Sequence, residues 1–170
     1  AIERLGGLEI RVNNTGVTTL SDIALSNSVT NRTLTLAGTG QVVVSGVISD
    51  GLASASGLTK SGTGTLTLSS ANTHSGTTSI TAGTVIAAND ASFGDGSLAL
   101  GTATIQGSGG ARTFANTGTI TGNTTFAGSS DLTFTGALTL TGTRTLTFTN
   151  TVLTTFAAHA HTTTATDRPH

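Results

Sequence analysis

Apolar residues recur at one short step along this chain, and that recurrence limits the folds open to it more than any other feature. Phe114, Ile120, Phe126, Leu132 and Leu138 lie six residues apart, and Phe134, Leu140, Leu146 and Val152 repeat the step. The local unit is an apolar–Thr–apolar triplet followed by Gly, Asn or Ser, as in Leu34-Thr35-Leu36, Leu66-Thr67-Leu68, Leu132-Thr133-Phe134, Leu138-Thr139-Leu140 and Leu146-Thr147-Phe148. Residues two apart on a strand share a face, so each triplet sends two apolar groups inward and one Thr outward. A strand and a corner of near-constant length is what a coiled β-solenoid requires, because the sides of its coils are alike in length. A hairpin meander would carry its own turn dipeptides, yet Asn-Gly is absent and Asp-Gly occurs only at Asp50-Gly51 and Asp95-Gly96. The step is irregular before Phe114, so this is no strict hexapeptide repeat. Coils of roughly 18 to 24 residues would give about seven to nine turns and, at about 4.8 Å per stacked strand, a rod of about 35–45 Å.

Composition supports strands and turns over helices. The 170 residues include 39 Thr and 23 Gly but no Cys, Met, Trp or Tyr. Thr suits a pleated, half-buried surface and Gly suits tight turns. Stacked coils bring equivalent outward Thr residues about 4.8 Å apart, where hydroxyl contacts are favourable and like charges would repel. Only seven basic and eight acidic residues occur, for a net charge of −1. That leaves no basic patch and no aromatic platform for nucleic acid. No run of about 18 apolar residues offers a membrane-spanning helix. A transmembrane barrel needs aromatic girdles and strands of roughly ten residues, whereas these strands read as half that length. The first residue is Ala1 rather than Met, as expected of a processed product or an excised piece.

One stretch is specific. Residues 57–85, GLTKSGTGTLTLSSANTHSGTTSITAGTV, resemble the passenger-associated repeat of autotransporters, whose pattern runs approximately L-x-K-x-G-x-G-T-L-x-L-x-x-x-N-T-Y-x-G-x-T-x-I-x-x-G-T-L. His74 departs from it, standing where that family usually has an aromatic such as Tyr. The run Asn89–Leu100 looks like the segment that commonly trails the repeat. The resemblance implies a right-handed parallel β-helix, an all-β fold, together with export across a bacterial envelope and a place at the cell surface. Read physically, Gly62 and Gly64 flank a corner and Leu66 and Leu68 enter the core. Asn72 is placed to cap a turn or to ladder with a counterpart, and Gly76 and Gly83 release the next corners. The solenoid is expected to cover residues 1–156, with 1–30 irregular or capping, and residues 157–170 to form a polar linking or disordered tail.

No catalytic, cofactor or metal residue stands out. Parallel β-helices also serve polysaccharide-degrading enzymes, which need converging carboxylates. Here the acids are scattered, and the nearest mid-chain pair, Asp90 and Asp95, sits among Gly, Asn and Ser, where Asp caps turns. The glycine-rich calcium nonapeptide of other solenoids is absent. His159 and His161 lack further ligands and read as solvated, while His74 reads as a turn residue. No Gly-x-Ser-x-Gly elbow or phosphate loop occurs.

The expected role is therefore a non-catalytic structural module of a bacterial surface or secreted protein: a rigid stalk or a self-associating extracellular fibre. Its partners would be further copies stacked end to end, or neighbouring repeats of a longer parent chain. The alternatives are an adhesin module that recognises glycans and, less favoured, a polysaccharide-degrading enzyme.

Overall fold

In a computed structural model the described residues, 7–157 and 159–161, contain strands and no helix, and every strand pairing among them is parallel. They form a β-solenoid of about seven turns. Coil 1 is β1 (Gly7–Arg11), β2 (Val17–Leu20) and β3 (Ile23–Ser26), and coil 2 is β4 (Thr33–Ala37), β5 (Gln41–Val44) and β6 (Ile48–Gly51). Coil 3 has β7 (Gly57–Lys60) and β8 (Thr65–Leu68); coils 4 and 5 are built on β9 (Thr78–Ala87) and β10 (Leu98–Gly107), with β11 (Arg112–Phe114) completing coil 5. Coil 6 is β12 (Gly118–Ile120), β13 (Thr124–Ala127) and β14 (Leu132–Phe134); coil 7 is β15 (Leu138–Leu140), β16 (Leu146–Phe148) and β17 (Thr154–Phe156). Beyond the boundary read at residue 156, β18 (His159–His161) pairs with β15 and extends the first face by one strand. Residues 1–6, 158 and 162–170 lie outside the described set, so the expectation of a linking tail falls mostly there.

The register explains the six-residue step. Phe114, Ile120, Phe126, Leu132 and Leu138 stand on β11, β12, β13, β14 and β15, that is, on successive faces of one winding path. From Phe114 to its register partner Phe134 the path takes two steps of six (Ile120, Phe126) and one of eight, a coil of 20 residues, as the pairs Thr78↔Leu98, Leu98↔Gly118 and Gly118↔Leu138 also show. Coils 1 and 2 are longer (Gly7↔Thr33 and Thr33↔Gly57), which is why the step blurs toward the N-terminus. Residues 7–26, expected to be irregular or capping, form three strands paired to coil 2.

Two strands run to ten residues, twice the expected length. β9 and β10 bend through the corner between the first and second faces and pair with each other over nine residue pairs. Gly83, at φ +78°, turns this corner in β9, and a side chain there would strike the Gly62 and Gly64 carbonyls of coil 3.

The core changes character along the rod. In coils 2 to 5 the second face stacks Val42, Leu66, Val85 and Ile105, and the first face stacks Leu36, Ile80 and Leu100 about an inward-placed Lys60. From coil 4 onward all six Phe of the chain form one stack: Phe93 on Phe114 (4.8 Å between ring centroids), Phe114 on Phe134 (5.2 Å) and Phe134 on Phe156 (5.1 Å), with Phe126 and Phe148 alongside. The outward partners of the second face are Thr65, Thr84, Thr104, Thr125 and Thr147, an uninterrupted Thr rank of the kind the composition implied.

Proteolysis should report this distribution of order. Arg144 lies in the exposed corner 142–145, whereas Lys60 is 4% exposed and the Ser61 amide is bonded to the Leu36 carbonyl. Trypsin is expected to cut after Arg144 well before it cuts after Lys60, because cleavage needs local opening. Mass spectrometry of a limited digest reads the order of cleavage, and early loss of the Lys60–Ser61 bond would contradict the packing described.

Candidate functional site

The third face is where the solenoid departs from regularity. Its strands form two separate sheets, β3–β6 in coils 1 and 2 and β11–β14–β17 in coils 5 to 7. Between them, residues 69–77 of coil 3 and 88–97 of coil 4 form no strand: the first holds a lone apolar residue, Ala71, and the second has Ala91 and Phe93 but turns at once at Gly94. Side chains of the repeat-like segment fill the gap. Asn72 is 1% exposed, and its Oδ1 accepts from the Ile48 amide of coil 2 (2.8 Å) while its Nδ2 donates to the Ser92 carbonyl of coil 4 (2.6 Å). One amide thus spans three coils where a strand would otherwise link them. Asn72 neither caps its own turn nor ladders with another Asn, the two roles its position suggested.

His74 lies beneath this bridge and is fully buried. The single hydroxyl proton of Thr78 goes to the Phe93 carbonyl (2.8 Å), so the 2.7 Å contact between His74 Nε2 and Thr78 Oγ1 must be donated by the imidazole. The ring is therefore the neutral Nε2–H tautomer, and its Nδ1, also buried, has no hydrogen-bond partner. Burial lowers the His74 pKa below its ordinary value, outweighing the Ile48 carbonyl and the Asp50 and Asp95 carboxylates, which favour the charged form. Room for the ring comes from Gly94, at φ +72°, whose absent Cβ would sit 2.6 Å from Cε1 and 2.8 Å from Nδ1. Gly94→Ala combines left-handed strain with this clash and is expected to destabilise by about 1–3 kcal/mol in a denaturation series. A neutral result would mean that the ring is not seated there.

Polar residues occupy inward strand positions that sequence reading missed, among them Thr78, Lys60 and Thr124. Thr78 stands between Leu58 and Leu98, and Lys60 between Leu36 and Ile80. The Lys60 ammonium turns to the corner and donates to the carbonyls of Gly62 (2.7 Å), Ser61 (3.1 Å) and Ala82 (3.3 Å), and burial lowers its pKa. The signal that could have found Thr78 is its spacing of two residues from Ile80, which puts both on one face. The Lys lies in a residue class that is seldom buried.

The acids serve the corners, but over a longer range than expected. Asp22 accepts from the Val47 amide, Asp90 from Thr113, Asp131 from Leu153, and Asn13, Asn31 and Asn123 act likewise, each reaching 22 to 26 residues onward. Asp50 holds Ser56 within its own corner and Ser75 of the next coil. Asp90 also pairs with Arg112 at 3.3 Å. Asp90 and Asp95 do share a groove of about 390 Å³ with Thr113, Asn116 and Thr117. Among the described residues no group of three or more His, Cys, Asp or Glu is placed to hold a metal ion. The side chains of His159 and His161 lie outside the described set.

Compared with known proteins, residues 58–87 match the family model described as Passenger-associated-transport-repeat. The segment resembling that repeat in sequence is thus one, and it supplies Lys60, Asn72, His74, Thr78 and Gly83 to the features just described. No curated protein and no solved structure matches the chain.

Proposed function

We propose that this chain is a rigid, non-catalytic structural segment in the passenger region of an exported bacterial surface protein. The observation that carries the reading is the unbroken parallel ladder of the first face, β1-β4-β7-β9-β10-β12-β15-β18, with the acidic and amide side chains committed to holding one coil on the next. Such a ladder resists bending and gains length in proportion to its coils. The passenger-associated repeat supports a secreted or surface-exposed parent. Duplicating the 20 residues of one coil, 98–117, should lengthen the rod by about 4.8 Å, readable by small-angle scattering with no change in cross-section. A thicker particle of unchanged length would overturn the reading. Contact between coil ends, whether with further coils of the parent chain or with a second copy, belongs to the same role. A concentration-independent monomer in sedimentation velocity would exclude the second copy.

Glycan recognition is favoured by one observation, the groove at Asp90, Asp95 and Asn116. Saturable binding on a glycan array, lost in Asp95→Ala, would select that role over the spacer. Turnover of a polysaccharide, lost in the same variant, would select an enzyme.

A further inference from the structure

The buried imidazole of the third face has no role in a passive spacer, and its surroundings make its protonation state consequential whether or not the spacer reading holds. We propose that His74 is a pH-operated latch: taking up a proton at Nδ1 releases the corner that joins coils 3 and 4 on the third face, while the ladders of the other two faces stay closed.

The geometry supports each part of this. Nδ1 is the only nitrogen of the ring free to accept a proton, since Nε2 already carries one toward Thr78 Oγ1. Nδ1 is buried without a partner, and the nearby Ile48 carbonyl already accepts from the Thr73 and His74 amides at 2.9 and 3.2 Å. Gly94 closes over Nδ1, so no water-sized space lies between the ring and the coil 4 turn. A proton there is accommodated by letting the turn lift. The bonds that would open with it are Asp95 N–H to His74 O (2.9 Å), Asn72 N–H to Ala91 O (3.0 Å) and Thr78 Oγ1 to Phe93 O (2.8 Å). Two charged groups act on the ring, Asp50 from β6 and Asp95 from the coil 4 turn. Both favour the imidazolium and so partly offset burial in the closed corner, where burial is the larger effect. The first and second faces of these coils are held independently by the pairing of β7 and β8 with β9 and of β9 with β10.

The sign follows from linkage. Burial holds the closed-state pKa below the ordinary 6.5, which the opened corner regains. Closure is therefore complete above pH 6.5 and is lost as pH falls below it. With a closed ring that stays neutral, the open fraction rises up to about 30-fold between pH 7.5 and 5.0.

Amide hydrogen exchange on the whole chain, corrected for the intrinsic rate at each pH, tests this. The protection of the Asn72 and Asp95 amides is expected to fall by up to about 30-fold from pH 7.5 to 5.0, while the Thr73 and His74 amides, bonded to Ile48 of coil 2, and Thr121 and Thr135 of coil 6 change less than about twofold. His74→Gln keeps a side-chain N–H for Thr78 and removes the titration, so its corner should lose the pH dependence. Should that variant fail to fold, the ¹⁵N shifts of the wild-type ring decide: a neutral Nε2–H imidazole persisting well below pH 6.5 supports the latch. An Nδ1–H tautomer, ordinary titration near 6.5, or the same pH dependence in His74→Gln would overturn it.

Discussion

Phe134→Ala is expected to cost about 3–5 kcal/mol, the largest loss of any single truncation in this rod. Phe134 is fully buried and its ring meets Phe114 at 5.2 Å, Phe126 at 5.5 Å and Phe156 at 5.1 Å. It is thus the junction at which the third-face stack meets the second-face pair Phe126 and Phe148. Truncation removes the transfer free energy of a whole ring and leaves a cavity that close neighbours above and below cannot fill without abandoning their ladder register. Because contacts in a solenoid pass only between neighbouring coils, the damage should be local: coils 6 and 7 unravel first while coils 2 to 4 persist. The chain has no Trp or Tyr, so urea titration is best followed by far-ultraviolet circular dichroism. A melt that turns biphasic, with the early phase confined to the C-terminal coils in hydrogen exchange, is the expected form. A loss under about 1 kcal/mol would show that the ring stack is not the core of this region.

Asn72→Leu ranks second, with an expected loss of about 2–5 kcal/mol. The side chain is nearly isosteric and its site is 1% exposed, so hydrophobicity alone would predict a gain. The loss arises because the Ile48 amide and the Ser92 carbonyl, bonded at 2.8 and 2.6 Å in the wild type, would each be left without a partner away from water. Each such orphan costs about 1–3 kcal/mol. Exchange of the Ile48 amide separates this account from a general packing defect: it should accelerate far more than that of Val44 on the neighbouring strand. Unchanged stability would mean that the third face closes without the amide bridge.

How much of this was legible depends on which interactions repeat. The six-residue step after Phe114, the apolar–Thr–apolar triplets and the expectation of stacked outward Thr residues are one-dimensional signals that recur from coil to coil, and they carried the all-β solenoid without any structure. Strand lengths were less legible: β9 turns through a corner at Gly83 without leaving the ladder, and β10 follows it in register with Ala103 opposite that glycine. The partners of the buried polar residues were not legible. Alternation with Leu58 and Ile80 puts Lys60 and Thr78 on the inward face, but the carbonyls that satisfy them there, Gly62, Ala82 and Phe93, lie in corners that the local pattern does not bring together. The same holds for Asp22, Asp90 and Asp131. Their turn chemistry was readable, but their partners lie a full coil onward, at Val47, Thr113 and Leu153.

Everything above depends on parallel stacking of successive coils, and nuclear Overhauser contacts across the second face test it most directly. Thr84, Thr104, Thr125 and Thr147 pair in sequence along β9, β10, β13 and β16. Proton contacts should therefore link each to the next along the whole rank, with the sequence offset constant in sign. Mirrored contacts, in which the offset shrinks toward a turn and α-protons face one another across strands, would mean antiparallel hairpins and would contradict the solenoid.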